Sequence, residues 1–296
     1  MRIAHISDLH ALDLTGASPL RFLSKRFFGW LNLLRKRRAA HPTQLLDALC
    51  ADLGQQPLDH VVVTGDLTNL SLPSEFRRAR KALDGLPLGP RGVTAIPGNH
   101  DVYVWEAYFG RSFEKFLLPY AQSDGAPTDE LPTWPIVRVR NQVAIIGCST
   151  ALPSPMPLAD GWLGGRQLQR LEEVLDGTKQ HFRMLLIHHP PLPQHLDLLR
   201  ALRDRGRLHK LLRRVGCELV LHGHEHRDLR ATLDGPSGPI PVIGVGSGTY
   251  NSPHLDRRAR YNIYTVEGSG KDARFTVEQR VHDPQSGQFV PYSPAT

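Results

Sequence analysis

Five short blocks of cation-binding residue types occur in this chain, and each follows directly after an apolar run. The blocks are Asp8-Leu9-His10, Gly65-Asp66-Leu67-Thr68-Asn69, Gly98-Asn99-His100-Asp101, His188-His189-Pro190-Pro191 and Gly223-His224-Glu225-His226. A parallel strand delivers the residues after its carboxyl end to one edge of a sheet, so blocks in this position are typical of a shared site. Each block alone is an ordinary turn, but five in order predict one binding site. The fold must therefore bring these five blocks, which are spread over residues 8–226, to a common edge.

The segments around these blocks predict alternating strands and helices. β-branched runs predict strands at residues 3–7, 60–64, 93–96, 143–147, 184–187, 218–221 and 241–245. Apolar residues at three- and four-residue spacing predict helices at 43–53, 74–83 with Ser74 as N-cap, 166–175 and 195–214. Two last strands, at 261–266 and 274–279, have no helix between them and should pair antiparallel. The alternation predicts an α/β fold.

The length of 296 residues suits one large domain. We expect this domain to cover residues 1–282, with a basic helical insertion at about 19–40. Residues 283–296 are rich in Pro, Gly and Ser, which predicts a poorly ordered tail. The three cysteines have no ligand-like spacing, and the chain begins without a signal-peptide pattern. We therefore expect a protein of a reducing, cytoplasmic compartment.

The net charge of +7 is concentrated in one place. Seven Lys and Arg residues lie between Asp13 and Asp47, with no acidic residue among them. In residues 20–38 an apolar helical stripe accompanies this charge, which suits peripheral contact with an anionic membrane at the inner membrane surface. The alternative, slightly favoured, is that the stripe packs on the domain. The arginine-rich residues 200–214 are interpreted as a solvated helix face, and the absence of a recognised nucleic-acid module argues against a nucleic-acid partner.

The residue types in the blocks are those that hold cations. A carboxylate and an imidazole two positions apart, as in Asp8 and His10, can converge on one cation just past a strand. Asp66 has two oxygens that can bridge two metals, and Gly65 before it lets the backbone approach closely. In the last block the alternate residues His224 and His226 project to the same side of an extended segment.

The third block adds residue types suited to proton transfer. Asn99 offers a neutral oxygen ligand, His100 titrates near neutral pH, and Asp101 can orient the imidazole of His100. Nearby, the aromatic-rich residues 103–134 can wall a substrate pocket or, as we favour for most of these side chains, pack as a pair of helices. Tyr103, the aromatic residue nearest His100, is the candidate for substrate contact. His189 can either contact a substrate phosphate or simply continue the backbone.

The order Asp-x-His, Gly-Asp, Gly-Asn-His-Asp, His-x-Pro and Gly-His-x-His resembles that of the calcineurin-like metallophosphoesterases. Within this superfamily the chain is most similar to the bacterial cyclic nucleotide and glycerophosphodiester phosphodiesterase branch. The resemblance implies an α/β fold built as a four-layer αββα sandwich, with two mixed β-sheets packed face to face and flanked by helices. It also implies that one metal is held by Asp8, His10, Asp66 and His226, and the other by Asp66, Asn99, His188 and His224.

The resemblance further implies a metal-dependent phosphoric ester hydrolase, most similar to enzymes that act on a cyclic nucleotide or another small phosphodiester. Two divalent cations about 3.5 to 4 Å apart neutralise a phosphate and lower the pKa of a bound water, so that hydroxide attacks phosphorus. His100 would then assist the leaving oxygen. The ligand set accommodates manganese, iron, zinc or cobalt. Asn69 stands where purple acid phosphatases carry a tyrosine ligand, so no iron(III)-tyrosinate centre is expected.

Two other functions are left open by the sequence. One is a membrane-surface pyrophosphatase acting on a lipid-linked nucleotide such as UDP-diacylglucosamine, motivated by the basic residues 20–38. Members of that branch commonly carry arginine where this chain has His100. The other is a non-enzymatic scaffold, whose expected signature is the loss of ligands, whereas here every ligand position is filled. The sequence predicts neither the substrate nor the oligomeric state.

Overall fold

Strands and helices alternate along the described part of the chain, which in this computed structural model comprises residues 1–17, 26, 40–155, 157–192, 199–268 and 272–293. The strands are β1 (Arg2–Ile6), β2 (His60–Val63), β3 (Val93–Ala95), β4 (Ile136–Arg140), β5 (Val143–Gly147), β6 (Phe182–Leu186), β7 (Leu219–His222), β8 (Leu229–Gly235), β9 (Gly238–Gly244), β10 (Arg260–Glu267), β11 (Arg274–Asp283) and β12 (Gln288–Tyr292). The helices are α1 (Thr43–Gln55), α2 (Pro73–Asp84), α3 (Trp105–Phe109), α4 (Ser112–Phe116), α5 (Gly165–Gly177) and α6 (Arg205–Val215).

The described strands form two mixed sheets, each with a parallel centre. The first has the order β12-β11-β10-β1-β2-β3, in which β1, β2 and β3 are parallel and β10 to β12 are antiparallel. The second has the order β4-β5-β6-β7-β9-β8, in which β5, β6, β7 and β9 are parallel. The parallel strands of both sheets therefore present their carboxyl ends for site residues.

Three buried apolar clusters show how the layers pack. Side chains of both sheets, including Ile3, Val62, Ile145, Met184 and Leu221, form the cluster between the sheets. A second cluster lies between the first sheet and helices α1 and α2, and a third between the second sheet and helices α5 and α6. Strands covered on both faces read as continuous apolar runs, which is why β2, β5 and β6 were visible in the sequence. The expected four-layer αββα sandwich is confirmed.

Two helix predictions need correction. Helix α2 begins at Pro73 with Leu72 as its N-cap, and Ser74 lies inside the helix, where its hydroxyl donates to the carbonyl of Asp13 at 2.6 Å. The helix predicted at 195–214 begins only at Arg205. Residues 193–198 lie outside the described residues. Residues 199–204 are not helical, and their backbone forms hydrogen bonds with residues 159 and 161 instead.

The carboxyl-terminal prediction was also wrong for most of its length. Strand β12 pairs antiparallel with β11, and its Phe289 is buried against Tyr261 at a ring separation of 5.7 Å. Backbone pairing with β11 and the burial of Phe289 thus hold most of this Pro- and Gly-rich segment in regular structure. Residues 294–296 lie outside the described residues.

Most of the predicted basic insertion at 19–40 lies outside the described residues, as do all of residues 20–38 except Arg26. Arg26 is buried, and its guanidinium donates to the carbonyls of Leu70 at 2.9 Å and Ser71 at 3.2 Å. No helix among the described residues is long and apolar enough to cross a bilayer. In the aromatic segment the expected helix pair is present as α3 and α4, but Trp105 and Phe109 are largely exposed.

Candidate metal centre

The structure brings together the seven side chains that the motif order indicated as metal ligands. Strand β1 leads into Asp8 and His10, strand β2 into Asp66, strand β3 into Asn99, strand β6 into His188, and strand β7 into His224 and His226. Residues 8, 10, 66 and 99 follow strands of the first sheet, whereas residues 188, 224 and 226 follow strands of the second. Both sheets therefore contribute donor atoms to one place.

The first group of donors surrounds Asp8. The Nε2 atoms of His10 and His226 lie 3.2 Å apart, and Nε2 of His226 lies 3.2 Å from Oδ1 of Asp8. Oδ2 of Asp66 lies 4.0 Å from Nε2 of His10. Two imidazoles and two carboxylates thus converge closely enough to share one cation.

The second group surrounds Asn99. Its Oδ1 lies 3.1 Å from Nε2 of His188 and 3.1 Å from Nδ1 of His224, and these two nitrogens are 3.3 Å apart. Oδ2 of Asp66 lies 3.5 Å from Nε2 of His188. The same carboxylate oxygen therefore adjoins both groups, which is the position of a bridging ligand between two cations.

Backbone carbonyls set the tautomers of two of these histidines. Nδ1 of His188 lies 2.7 Å from the carbonyl of Thr64, and Nδ1 of His10 lies 3.3 Å from the carbonyl of Thr68. A carbonyl only accepts, so each Nδ1 carries a hydrogen and each Nε2 faces the centre. Oδ1 of Asp66 accepts the backbone N–H of His100 at 2.7 Å, which turns Oδ2 toward both donor groups.

Burial and neighbouring charges shift the pKa values of these groups. Burial lowers the pKa of both His10 and His224 well below the ordinary value, so both are neutral at pH 7. Burial alone would raise the pKa of Asp66, but the charges of His188 and His100 bring it well below its ordinary value. Burial likewise opposes a charged His188, yet the carboxylate of Asp66 raises the pKa of His188 to about 9. The centre therefore keeps a charged carboxylate between its imidazoles.

Five of the seven residues have backbone conformations that side-chain-bearing residues seldom adopt. Their φ angles are 54° at Asp8, 44° at His10, 54° at Asp66, 73° at His224 and 52° at His226. Each left-handed residue of this kind costs about 1 to 2 kcal/mol relative to ordinary backbone. Hydrogen bonds between loops hold them, including the N–H groups of residues 8 and 10 to the carbonyls of residues 65 and 66, each at 2.9 Å.

Gly65 lets two loops meet beneath the centre. Its φ is +99°, and a Cβ at this position would lie 2.6 Å from the backbone nitrogen of Gly98 and 2.8 Å from Nδ1 of His188. Any side chain would therefore push apart the loops that carry Asp66 and Asn99.

The donor set fits two first-row divalent cations. Asp8 Oδ1 is buried and forms no hydrogen bond of regular geometry within the described part of the chain, although Nε2 of His226 lies 3.2 Å away. An uncompensated buried carboxylate oxygen is costly, whereas a cation beside it removes that cost. Four imidazoles and three carboxylate or amide side chains, which lie in two groups, form a donor set that suits divalent cations.

His100 lies beside these donors, but Asp101 does not orient it. Nδ1 of His100 donates to the carbonyl of Asn69 at 2.7 Å, so this carbonyl fixes the ring. The buried carboxylate of Asp101 instead accepts hydrogen bonds from three backbone N–H groups and one hydroxyl of the adjoining loops. The expectation that Asp101 holds the imidazole was wrong, because converging backbone donors surround its carboxylate.

The two residues expected to contact substrate are both buried. Tyr103 packs with Leu70 and Leu72 and stacks on His100 at a ring separation of 5.4 Å. His189 is fully buried, and its Nδ1 lies 2.7 Å from Oγ1 of Thr150. These contacts make Tyr103 a support for His100, and His189 a support for the neighbouring imidazole of residue 224, at a ring separation of 4.5 Å.

A cavity of about 670 Å³ opens above the donors. Its walls include Asp66, Asn99, His100, Arg200, Arg227, Tyr250 and Arg257. Three guanidinium groups around one opening favour an anionic ligand. Arg200, which the sequence placed on a solvated helix face, instead precedes helix α6 and donates to the carbonyl of His224 at 2.9 Å.

Two residues that the sequence patterns did not indicate hold the backbone of the first block through hydrogen bonds. Ser247 donates to the carbonyl of Asp8 at 2.6 Å, and Thr249 donates to the carbonyl of Leu9 at 2.7 Å. Both follow strand β9, so polar residues after a predicted strand were a usable signal. His41 is also buried beside His10. It precedes a helix and does not follow a strand, so its place in the sequence did not indicate a role in the site.

Comparisons with known proteins show which sequences this chain is similar to. The family model described as calcineurin-like phosphoesterase matches residues 1–228. The cAMP/cGMP dual specificity phosphodiesterase of Mycobacterium tuberculosis is 31% identical over 253 residues, which cover 83% of this chain and 67% of that protein. The glycerophosphodiester phosphodiesterase GpdQ of Enterobacter lignolyticus is 29% identical over 193 residues, 65% of this chain and 58% of that protein.

A solved structure shows the same fold at low sequence identity. The crystal structure of a dimetal phosphatase from Danio rerio superposes with a TM-score of 0.62 at 16% identity, covering 100% of this chain and 99% of that one. At this identity the similarity concerns the fold alone.

Proposed function

This chain belongs to the calcineurin-like phosphoesterase family, and we propose that it is a dinuclear metal-dependent phosphodiesterase acting on small diesters such as cyclic nucleotides. The observation that carries this proposal is the position of Asp66 Oδ2, which lies 4.0 Å from Nε2 of His10 and 3.5 Å from Nε2 of His188. One carboxylate between two donor groups is what a pair of adjacent cations requires.

The seven donors would hold the cations as two sets that share this carboxylate. Asp8, His10 and His226 would complete one set, and Asn99, His188 and His224 the other. When bound, such a pair neutralises phosphate charge and lowers the pKa of a nearby water, which no side chain in this site can do alone.

His100 is the residue we assign to proton transfer. Its Nδ1 hydrogen is committed to the carbonyl of Asn69, so Nε2 is the nitrogen that exchanges a proton with the leaving oxygen. Stacking on Tyr103 and the carbonyl bond together fix the plane of the ring. A fixed donor loses little conformational entropy when the substrate binds, which is the advantage of such positioning.

The cavity supports a small anionic substrate. Its volume of about 670 Å³ lies within the range of ligand pockets and suits a nucleotide-sized molecule. Arg227 and Arg257 are exposed at its rim, where they can attract a phosphate without being held in buried ion pairs.

The test is hydrolysis by the purified full chain after metal removal and reloading with Mn²⁺, Fe²⁺, Zn²⁺ or Co²⁺. We expect metal-dependent turnover of bis-p-nitrophenyl phosphate and of cyclic AMP or cyclic GMP, with slower turnover of p-nitrophenyl phosphate. The Asp66→Ala chain, treated identically, serves as the background control. Absence of diester hydrolysis with every metal would exclude the proposed activity.

A second candidate is a pyrophosphatase for a nucleotide linked through a diphosphate, and the three arginines of the cavity favour it. Two adjacent phosphates carry more negative charge than a cyclic diester and would use Arg200, Arg227 and Arg257 together. Measuring kcat/KM for a UDP-linked lipid analogue and for cyclic AMP separates the two. A preference for the UDP compound of roughly tenfold or more would select the second candidate.

A further inference from the structure

His41 is a buried histidine outside the five blocks, yet its ring lies against the first donor group. It precedes helix α1, and its ring centroid lies 4.7 Å from that of His10 and 5.9 Å from that of His226. One nitrogen from each of these three imidazoles fits within a span of 4.8 Å. Distances of this size allow three imidazole nitrogens to face one cation.

A hydrogen bond to Thr249 determines which nitrogen of His41 is presented. The Thr249 hydroxyl gives its hydrogen to the carbonyl of Leu9 at 2.7 Å, so its oxygen accepts from Nδ1 of His41 at 2.9 Å. Nδ1 therefore carries the hydrogen and Nε2 carries the lone pair. This is how metal-binding histidines are usually held, with the far nitrogen donating to an oxygen.

Thr249, which binds His41, also forms a hydrogen bond with the backbone of the first block. Thr249 bonds the carbonyl of Leu9, while Ser247 in the same loop bonds the carbonyl of Asp8 and accepts the N–H of Thr249 at 3.2 Å. One loop after strand β9 thus positions both the residue-8 ligand and the imidazole of His41. The hydrogen bond that fixes His41 therefore comes from the same loop that fixes the backbone of Asp8.

Several imidazoles are buried together at this position. His10 and His41 are almost fully buried, and His10, His41 and His226 each place a nitrogen in one small group. The carboxylates of Asp8 and Asp66 adjoin the same group. A first-row divalent cation binds imidazole nitrogens and carboxylate oxygens together.

We propose that His41 is an additional ligand, through Nε2, of the cation held by Asp8, His10, Asp66 and His226. This inference rests on the dinuclear centre of the proposed function. With His41, the cation beside Asp8 has three imidazole ligands, whereas the other cation has two, from His188 and His224. Imidazole-rich sites favour zinc, iron and cobalt over magnesium or manganese, so His41 makes the two positions unequal.

The test measures cobalt binding in the full chain without substrate. Metal-depleted protein is titrated with Co²⁺ while calorimetry and the visible absorption of the ion are recorded. For His41→Phe, which keeps a ring but no nitrogen, we expect one of two Co²⁺ affinities to fall by roughly tenfold or more, with an altered spectrum for that ion. The second affinity should be unchanged, and His181→Phe, remote from the centre, should match the wild type.

A second pair of measurements guards against misfolding of the phenylalanine variant. In His41→Ala the lost affinity should be restored by added imidazole, and Thr249→Val should weaken the same ion because the acceptor of Nδ1 is gone. A folded His41→Phe chain that binds two Co²⁺ ions like the wild type, with the same spectrum, would show that His41 only packs. Failure of imidazole to restore binding in His41→Ala would count equally against ligation.

The titration is independent of the proposed reaction. A wild-type chain that binds two Co²⁺ ions but hydrolyses no diester contradicts the proposed function, and the His41 result can still be read. A wild-type chain that binds no Co²⁺ contradicts both the metal centre and the role of His41.

Discussion

The carboxylate of Asp101 accepts the backbone N–H of Thr68 at 2.9 Å, and the same carboxylate accepts the hydroxyl of Thr68 at 3.0 Å. It also accepts the N–H groups of Leu67 at 3.2 Å and Gly98 at 2.9 Å. One buried carboxylate therefore joins the loop after strand β2, which carries Asp66, to the loop after strand β3, which carries Asn99.

Replacing Asp101 by Asn should destabilise the protein by about 2 to 4 kcal/mol, because the amide NH₂ would face backbone donors. We also expect weaker metal binding, since the loops of residues 66 and 99 lose their common acceptor. Urea unfolding and Co²⁺ titration check both effects. Asp129→Asn, at an exposed position, is the matched control and should change stability by less than about 0.5 kcal/mol. Equal stability of the two variants would contradict this role.

Asp66→Ala should remove metal from both positions, because its Oδ2 adjoins both donor groups. The expected result is fewer than two metal ions per chain after dialysis, measured by mass spectrometry of the metals. An ordinary ligand such as Asn99, when changed to Ala, should mainly weaken one position. If Asp66→Ala retains two ions at wild-type affinity, the carboxylate does not bridge.

His100→Ala should keep both metal ions but lower kcat by roughly 10²- to 10⁴-fold. The loss should be larger for a diester with an alkoxide leaving group than for p-nitrophenolate, which leaves readily without a proton. Steady-state kinetics on both substrates give this comparison, with His181→Ala as the control. An equal loss on the two substrates would show that His100 does not protonate the leaving oxygen.

Glu75 should make stability depend on pH. Burial, with a smaller effect from the charge of Asp101, raises the pKa of Glu75 from 4.5 to about 8, although Leu70 and Leu72 donate backbone N–H groups to it. The folded state therefore retains a proton that the unfolded state loses. Its contribution is fully present below pH 4.5 and is lost as the pH rises toward 8.

Glu75→Gln removes this titration while keeping the shape of the side chain. Relative to the variant, the wild type should lose about 1 to 4 kcal/mol between pH 5 and pH 8.5. Unfolding free energies of both proteins at several pH values, measured with chelator present, provide the test. A difference that stays constant with pH would mean that Glu75 has the same protonation state in the folded and unfolded chains.

The ligand blocks were predictable from the sequence because their chemistry is local. Asp8, His10 and Asn99 stand directly after apolar runs, and continuous apolar runs mark strands that are buried on both faces. The predicted strands were therefore placed to within a few residues, whereas strands β4, β8 and β12 were not predicted. Helix starts that depend on contacts with other loops were predicted less accurately, as at Ser74 and at the start of helix α6.

The supports of the site were not predictable, since they depend on distant parts of the chain. The role of Asp101 is set by which backbone donors converge on it, and the position of His41 is set by Thr249, 208 residues away. The left-handed conformations of Asp8 and His224 have no marker in residue type. Such features arise only when loops that are separate in the sequence meet in the folded chain.

The donor atoms come from both sheets, and this has a mechanical consequence. Neither sheet alone supplies all the donors of either set, so each bound cation would join the two sheets, in addition to apolar packing and hydrogen bonds such as that of Ser247 to the carbonyl of Asp8. Separation of the two sheets would move His188, His224 and His226 away from the carboxylates of Asp8 and Asp66. The number of cations bound per chain should therefore fall when the packing of the two sheets is disturbed.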